Sequence, residues 1–259
     1  MNSTPANHPY LSPAKPHIFA HRGFAAENGL IENTLKAFDA ALLLGATHIE
    51  SDIQVTKDGV PVLFHDNDLE RVAGLPLKVN ELYLTDLLVV DLGGGSRIPT
   101  LEQALTLFPT ARFNLDFKVS GAISPAAEVI ARLQATDRVL IASFSDSRRK
   151  RAQALLGPAS ISSAGGIRVL LLWLAAKLRQ RWLVKALSSG VRSLQIPVRS
   201  GPIVLDSPGF IEMMKTAGLE LNYWTINEAA EMKRLIDLGA DGIVTDRTDI
   251  AVNTLRTAS

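Results

Sequence analysis

Two of the chain's five histidines, and two closely spaced acidic residues, stand among polar runs near its start. They lie in the runs His21-Arg22-Gly23, Glu32-Asn33-Thr34, Glu50-Ser51-Asp52 and His65-Asp66. Histidine titrates near neutral pH, so it can give or take a proton during a reaction. Carboxylates supply the hard oxygen ligands that divalent cations prefer. Side chains alternate along a strand, so Glu50 and Asp52 point the same way. An exposed strand edge would tolerate that pair. A barrel strand is covered on both faces, and unpaired buried charge is costly. One divalent cation, Mg²⁺ or Ca²⁺ with Mn²⁺ also admissible, accounts for both carboxylates. The combination reads as a hydrolytic site.

The run Arg112–Lys118 extends the pattern, because Asn114, Asp116 and Lys118 share one strand face. If that strand neighbours the one carrying Glu50 and Asp52, Asp116 reaches the same cation. Lys118 then places a point charge beside an anionic substrate. The plainer reading is an Asp–Lys pair closing a strand end. Arg22 suits bidentate contact with phosphate oxygens. Glu32 and Asn33 open a helix, where Asn is either an N-cap or a support for the cation's ligands or His21. Trp224 ends a strand and either walls the substrate pocket or packs in the core. His8, His17 and His48 read as structural, Gly93–Gly95 as a hinge, and Arg148–Arg151 as a solvated helix face.

Elements must position these groups. Apolar β-rich runs alternate with helical patterns at His17–Ala20, Thr47–Val55, Arg112–Phe117, Arg138–Phe144, Ala159–Ser162, Ser193–Val198, Glu220–Ile226 and Gly242–Thr245. Parallel strands need crossover helices, so eight such units predict an α/β fold, a (β/α)8 TIM barrel. Its active site belongs at the C-terminal ends of the strands, where His21 and Arg22 fall. Asp58-Gly59 predicts a hairpin joining the second strand to Pro61–His65. Residues 66–97 lack a clean repeat and read as a small insertion after the second strand. Residues 1–15 read as a flexible N-terminal arm, and 16–259 as one barrel domain.

With 259 residues and 47% hydrophobic content, the chain can bury one large core. Its 27 basic and 26 acidic residues leave no overall field to favour nucleic acid. Zero cysteines exclude disulfides, thiolate metal sites and a cysteine nucleophile. With no signal-peptide pattern and no spanning apolar run, a soluble cytoplasmic protein is expected. Residues 167–187 combine an apolar run with basic residues and no acid. They form either barrel helices packing inward or a peripheral membrane contact. The sequence sets no oligomeric state.

Taken together, these motifs resemble the glycerophosphodiester phosphodiesterase family. Ile98-Pro99-Thr100-Leu101-Glu102, Trp224-Thr225-Ile226-Asn227 and Asp241-Gly242-Ile243-Val244-Thr245-Asp246 add to the four runs above. The likeness extends from about His17 to Asp249. It implies a metal-dependent TIM barrel, of the phospholipase C-like kind, with a small insertion after the second strand. It implies Glu50, Asp52 and Asp116 as metal ligands and His21 and His65 as acid–base pair. Arg22, Lys118 and Trp224 would then bind a small glycerophosphodiester. The implied reaction releases sn-glycerol 3-phosphate and an alcohol through a cyclic phosphate, with the order of the histidines open. The family usually has glutamate where Asp116 stands; the related sphingomyelinase D-type barrels carry aspartate there with a lysine two residues on. A lysophospholipase D-like reaction is the alternative. A barrel that only binds is disfavoured, since every catalytic candidate is present.

Overall fold

The computed structural model describes residues 8–25, 27 and 29–256. Eight strands, β1 (His17–His21), β2 (His48–Val55), β3 (Phe113–Phe117), β4 (Val139–Ala142), β5 (Ile161–Ser162), β6 (Ser193–Ile196), β7 (Glu220–Tyr223) and β8 (Gly242–Thr245), pair in parallel in the order β5-β4-β3-β2-β1-β8-β7-β6. A bridge between Ser163 and Ser193 joins β5 to β6 and all but closes the barrel. β5 is short because its neighbourhood, Ala159-Ser160-Ile161-Ser162-Ser163, has a single β-branched residue to favour a strand. The helices are α1 (Leu35–Leu44), α2 (Leu101–Leu107), α3 (Ile123–Arg132), α4 (Asp146–Leu156), α5 (Gly166–Lys177), α6 (Arg181–Leu187), α7 (Pro208–Thr216), α8 (Ala229–Asp237) and α9 (Thr248–Arg256). The expected TIM barrel is the fold observed.

Two apolar layers fill the space between strands and helices, one around Phe38, Ile53 and Phe113, the other around Leu194, Phe210 and Leu221. The barrel interior is mostly polar at the mouth. Below it, Phe19, Leu140, Ile161 and Val244 make a small apolar plug. The hairpin forms as expected: Pro61–Leu63 pairs antiparallel with β2, Ile53 opposite Leu63. The insertion that follows holds two short strands, Asp68–Leu69 and Leu75–Lys78, and short helices at Glu70–Ala73 and Leu84–Leu88. Leu69, Val79, Leu87 and Leu92 give it a core of its own.

Three expectations change. Residues 1–7 of the expected arm lie outside the described residues, but from His8 onwards the chain is a packed stopper under the barrel. Tyr10 is fully buried, and its carbonyl accepts from the His48 ring at 2.9 Å. The His8 ring bonds the Ala159 carbonyl at 2.9 Å, and Lys15 bridges Glu220 and Asp241 at 2.8 and 2.7 Å. The barrel's lower end would otherwise expose Phe19 and His48 to water. Second, Arg149 is buried, not solvated. Its guanidinium bonds Asp146, Gln153, Ser162 and the Gly190 carbonyl, tying α4 to β5 and β6. Third, Gly93–Gly95 form a tight turn in which all three residues have positive φ, closed by Leu92 and Ser96.

The stopper generates a paired prediction. Tyr10→Ala should cost about 3–5 kcal/mol, as loss of a buried aromatic side chain does. At about 2–4 °C per kcal/mol for a chain of this size, the melting temperature should fall by roughly 6–20 °C. Tyr10→Phe should be neutral or slightly stabilising, because the buried Tyr10 hydroxyl has no hydrogen-bond partner among the described residues. A thermal melt of the two variants checks both; an unchanged melt for Tyr10→Ala would mean residues 8–15 hang loose.

Candidate active site

The register of three neighbouring strands builds the charged wall of the mouth. His21 lies opposite Glu50 between β1 and β2. Glu50 lies opposite Asn114, and Asp52 opposite Asp116, between β2 and β3. The side chains of all five therefore face the barrel interior at two successive positions, His21, Glu50 and Asn114 below Asp52 and Asp116. Of the expected site residues, His21, Arg22, Glu50, Asp52, His65, Asp116, Lys118 and Trp224 line a single cavity of about 580 Å³. Glu32 and Asn33 stand behind it.

The turn after β1 aims Arg22. Arg22 has φ +56°, and Gly23 follows at +84°. A side chain at Gly23 would place its Cβ 2.7 Å from the Ala37 carbonyl carbon of α1, so the turn requires glycine there. Asn33, also in the left-handed region, does not cap α1; Thr34 does, accepting from the Ala37 N–H. Asn33 instead donates to Asp52 at 3.1 Å and accepts from Ser51 at 2.6 Å. Glu32 accepts from Arg22 at 3.1 Å and from Arg71 of the insertion. Arg71 also reaches Asp66 at 2.6 Å, and Asp66 bonds the His65 ring at 2.6 Å. A continuous polar chain thus joins His65 to Arg22 through the insertion.

His21 has its own support. Its Nδ1 is 2.7 Å from Asp246, which accepts from Asn227 at 2.9 Å. Its Nε2 faces the cavity, 3.9 Å from Glu50. Asp246, Asn227 and Arg71 received no role from the sequence. Asp246 could have been found, since it follows β8 at the catalytic end of the barrel. Arg71 could not, because nothing in an irregular insertion says where it folds back.

Electrostatics sort the carboxylates. Burial, then the neighbouring Asp52, pushes the Glu50 carboxyl up to about 8, against His21 and Arg22. Burial would also raise Asp52, but Lys118 and Arg22 hold it below the usual carboxylate range. Lys118 sits 2.9 Å from Asp52 and 2.8 Å from Asp116. Asp116 is nonetheless raised, chiefly by burial. Burial would lower the His21 imidazole, yet Asp246 and Glu50 together hold it above its ordinary value.

Glu50, Asp52 and Asp116 offer the hard oxygen donors that a divalent cation takes. Asp116 Oδ1 and Asn114 Oδ1 are buried and have no hydrogen-bond partner among the described residues. Burial and the neighbouring Asp52 favour the protonated form of Glu50. A cation near Glu50, Asp52 and Asp116 would relieve all of these. Lys118 already lies between two of the three, and among the described residues no three ligating side chains close around one point.

The opposite wall is apolar. Phe144, Val169, Leu170, Ile203, Leu205 and Trp224 line it, and Trp224 meets Phe144 edge to face with centroids 6.1 Å apart.

Comparison with known proteins agrees with this geometry. Residues 21–250 match the model of the glycerophosphoryl diester phosphodiesterase family. A Mycobacterium tuberculosis protein named Probable glycerophosphodiester phosphodiesterase 2 is 40% identical over 232 residues, 89% of this chain and 87% of its own. A Homo sapiens lysophospholipase D is 26% identical over 89% of this chain and 82% of its own. The structure of an Oleispira antarctica phosphodiesterase in complex with the product sn-glycerol-3-phosphate superposes with a TM-score of 0.75 at 24% identity, covering 92% of this chain and 96% of that one.

Glu50 supplies a pH test of the buried carboxylates. Its ordinary value is 4.5 and its folded, metal-free value about 8. Between those limits the folded chain holds a proton that the unfolded chain has lost, so stability falls as pH rises through the window. At about 1.4 kcal/mol per unit of displacement, the loss is on the order of a few kcal/mol. Chelator-treated protein should therefore show a decline in melting temperature from about pH 4.5 to 8, and Glu50→Gln should flatten it. An identical pH slope in Glu50→Gln would refute the assignment.

Proposed function

The chain belongs to the glycerophosphoryl diester phosphodiesterase family and is a phosphoric diester hydrolase, and from that premise we propose how its own residues work. The reaction proposed is hydrolysis of glycerophosphodiesters to sn-glycerol 3-phosphate and an alcohol. The observation that carries it is the convergence of His21 and His65 on one cavity walled by Glu50, Asp52, Asp116, Arg22 and Lys118. Such a cavity holds a phosphodiester between two proton-transfer groups.

Glu50, Asp52 and Asp116 would hold one divalent cation, Mg²⁺, Ca²⁺ or Mn²⁺, which supplies Lewis-acid neutralisation of phosphate oxygens. Arg22 and Lys118 add fixed positive charge where negative charge concentrates during transfer. Trp224 packs against the glycerol carbons. Asp246 favours the protonated form of His21, so His21 is assigned as proton donor to the departing alcohol oxygen. His65, oriented by Asp66, accepts the proton of the attacking hydroxyl. That attacker is the substrate's own 2-hydroxyl: its oxygen bonds phosphorus as the bond to the alcohol breaks. Water then opens the cyclic phosphate with the two histidines exchanging roles. The compartment proposed is the cytoplasm.

A second reading is favoured by the apolar wall and by the lysophospholipase D relative. Phe144, Val169 and Leu170 offer an alkyl chain a surface beside the phosphate position. The same chemistry would then act on a lysophospholipid.

Release of the alcohol, with glycerol 3-phosphate as co-product from soluble diesters and lysophosphatidate from lysophospholipids, measured with each cation or a chelator, separates these readings. His21→Ala and His65→Ala should each lower kcat by about 10²–10⁴-fold, the usual contribution of a general acid or base. Chelation should suppress turnover and added cation restore it. Asp246→Asn should lower kcat with little change in KM and shift the limb of the pH profile due to His21 to lower pH. Full turnover after chelation, or in His21→Ala, would sink the mechanism. Turnover of long-chain substrates alone would select the second reading.

A further inference from the structure

Helix α5 breaks a rule of packing. A helix that is apolar on all sides is normally buried on all sides. Leu172 and Ala175 of α5 are buried against the barrel. Ile167, Leu170, Leu171, Leu174 and Leu178, at helical spacings of three and four, are instead 74%, 40%, 44%, 40% and 66% exposed. Trp182 continues the surface at 70%. At these exposures no other described segment covers the stripe.

Charge surrounds it asymmetrically. Between Ser147 and Leu205 the sequence has eleven basic residues and no acidic one. The remaining chain, with 16 basic and 26 acidic residues, carries the compensating negative charge. This stretch of chain is therefore basic, although Asp146 pairs with Arg149 and Arg168 and Glu212 of α7 shares a groove with Arg181 and Lys185. Lys177, Arg179, Arg181 and Lys185 are exposed at the end of the stripe and on the following helix. The stripe also runs into the cavity, since Leu170 belongs to both. Trp173 Nε1 donates to the Val204 carbonyl at 3.2 Å, fixing α5 to the loop that forms the same wall.

We propose that the exposed face of α5 with its basic border docks on an anionic phospholipid bilayer and brings the cavity mouth to the membrane surface. An apolar stripe takes up interfacial position while neighbouring cations pair with anionic headgroups. Charge complementarity decides the occupant: a second copy would bring the same cations against this sector, and like charges across an interface disfavour contact. The docking does not depend on the metal or on the histidines, but it would supply the second substrate reading with its lipid.

Flotation of the full chain with vesicles of phosphatidylcholine, alone or mixed with phosphatidylglycerol, tests this. Binding should appear with phosphatidylglycerol and weaken as salt is raised. Leu171→Asp with Leu178→Asp should weaken it about tenfold or more, having lost apolar contact. Arg179→Gln, Arg181→Gln and Lys185→Gln together should weaken it by about tenfold to a hundredfold on anionic vesicles. Both variants should hydrolyse a water-soluble glycerophosphodiester like the parent chain. Should the aspartate variant fail to fold, the glutamine variant decides alone. Absence of binding to anionic vesicles, or binding unchanged in the glutamine variant, overturns the proposal. So does a dimer in sedimentation that the aspartate pair splits, because a second copy would then cover the stripe. An inactive parent chain that still floats would count against the hydrolase reading and leave the docking standing.

Discussion

Three carboxylates buried on the inward faces of two neighbouring strands set the terms for the rest of this molecule. Glu50, Asp52 and Asp116 are each less than 10% exposed. Like charges so placed cannot all ionise without positive charge nearby. The protein meets this demand unevenly. Lys118, Arg22 and Asn33 reach Asp52 and favour its ionised form, whereas burial and Asp52 itself push the Glu50 carboxyl up. The imbalance leaves the wall of the cavity short of positive charge beside Glu50. A well-packed apolar mouth would be more stable and would do nothing.

The cost of that arrangement explains several remote features. Arg22 must reach Asp52 from a left-handed turn, which makes glycine necessary at position 23. Glu32 and Arg71 then hold Arg22 and Asp66 in one chain of charge-assisted hydrogen bonds. The insertion is therefore part of the site's support and not a decoration on the barrel. Leu69, Val79, Leu87 and Leu92 of the insertion pack with Val62 and Phe64 of the hairpin, which anchors the segment carrying Arg71 to the barrel. At the other end, the stopper around Tyr10 closes the barrel floor, so that only the mouth admits water and substrate.

The two walls of the cavity divide the work. β1 to β3 with the hairpin carry the charges, while β4 to β7 with α5 carry apolar surface. A phosphodiester has the same division, with a charged centre and a carbon substituent. The basic sector outside the apolar wall extends the division to the molecular surface.

Much of this was legible from residues alone. Alternation of short β-rich runs with helical patterns specifies eight units, because hydrophobic period follows secondary structure locally. The face shared by Glu50 and Asp52 follows from strand geometry, and a buried acidic face implies a cation. The turn at Asp58-Gly59 and the place of the insertion are local properties too, whereas strand ends are not: β7 stops at Tyr223 and β4 at Ala142, short of the expected Ile226 and Phe144. Other features required the tertiary structure, because they depend on which distant segments meet. Asp246 and His21 are 225 positions apart and Arg71 and Glu32 are 39 apart. Residues 8–15 look like an arm until the open barrel end beneath β1 and β2 gives Tyr10 a place to bury. Arg149 looks solvated within Arg148–Arg151 until Ser162 and Gly190 arrive beside it. The apolar run of α5 has two faces in sequence, and only packing decides that one of them stays uncovered. Period and spacing are written along the chain, whereas partners and exposure are set by closure of the barrel.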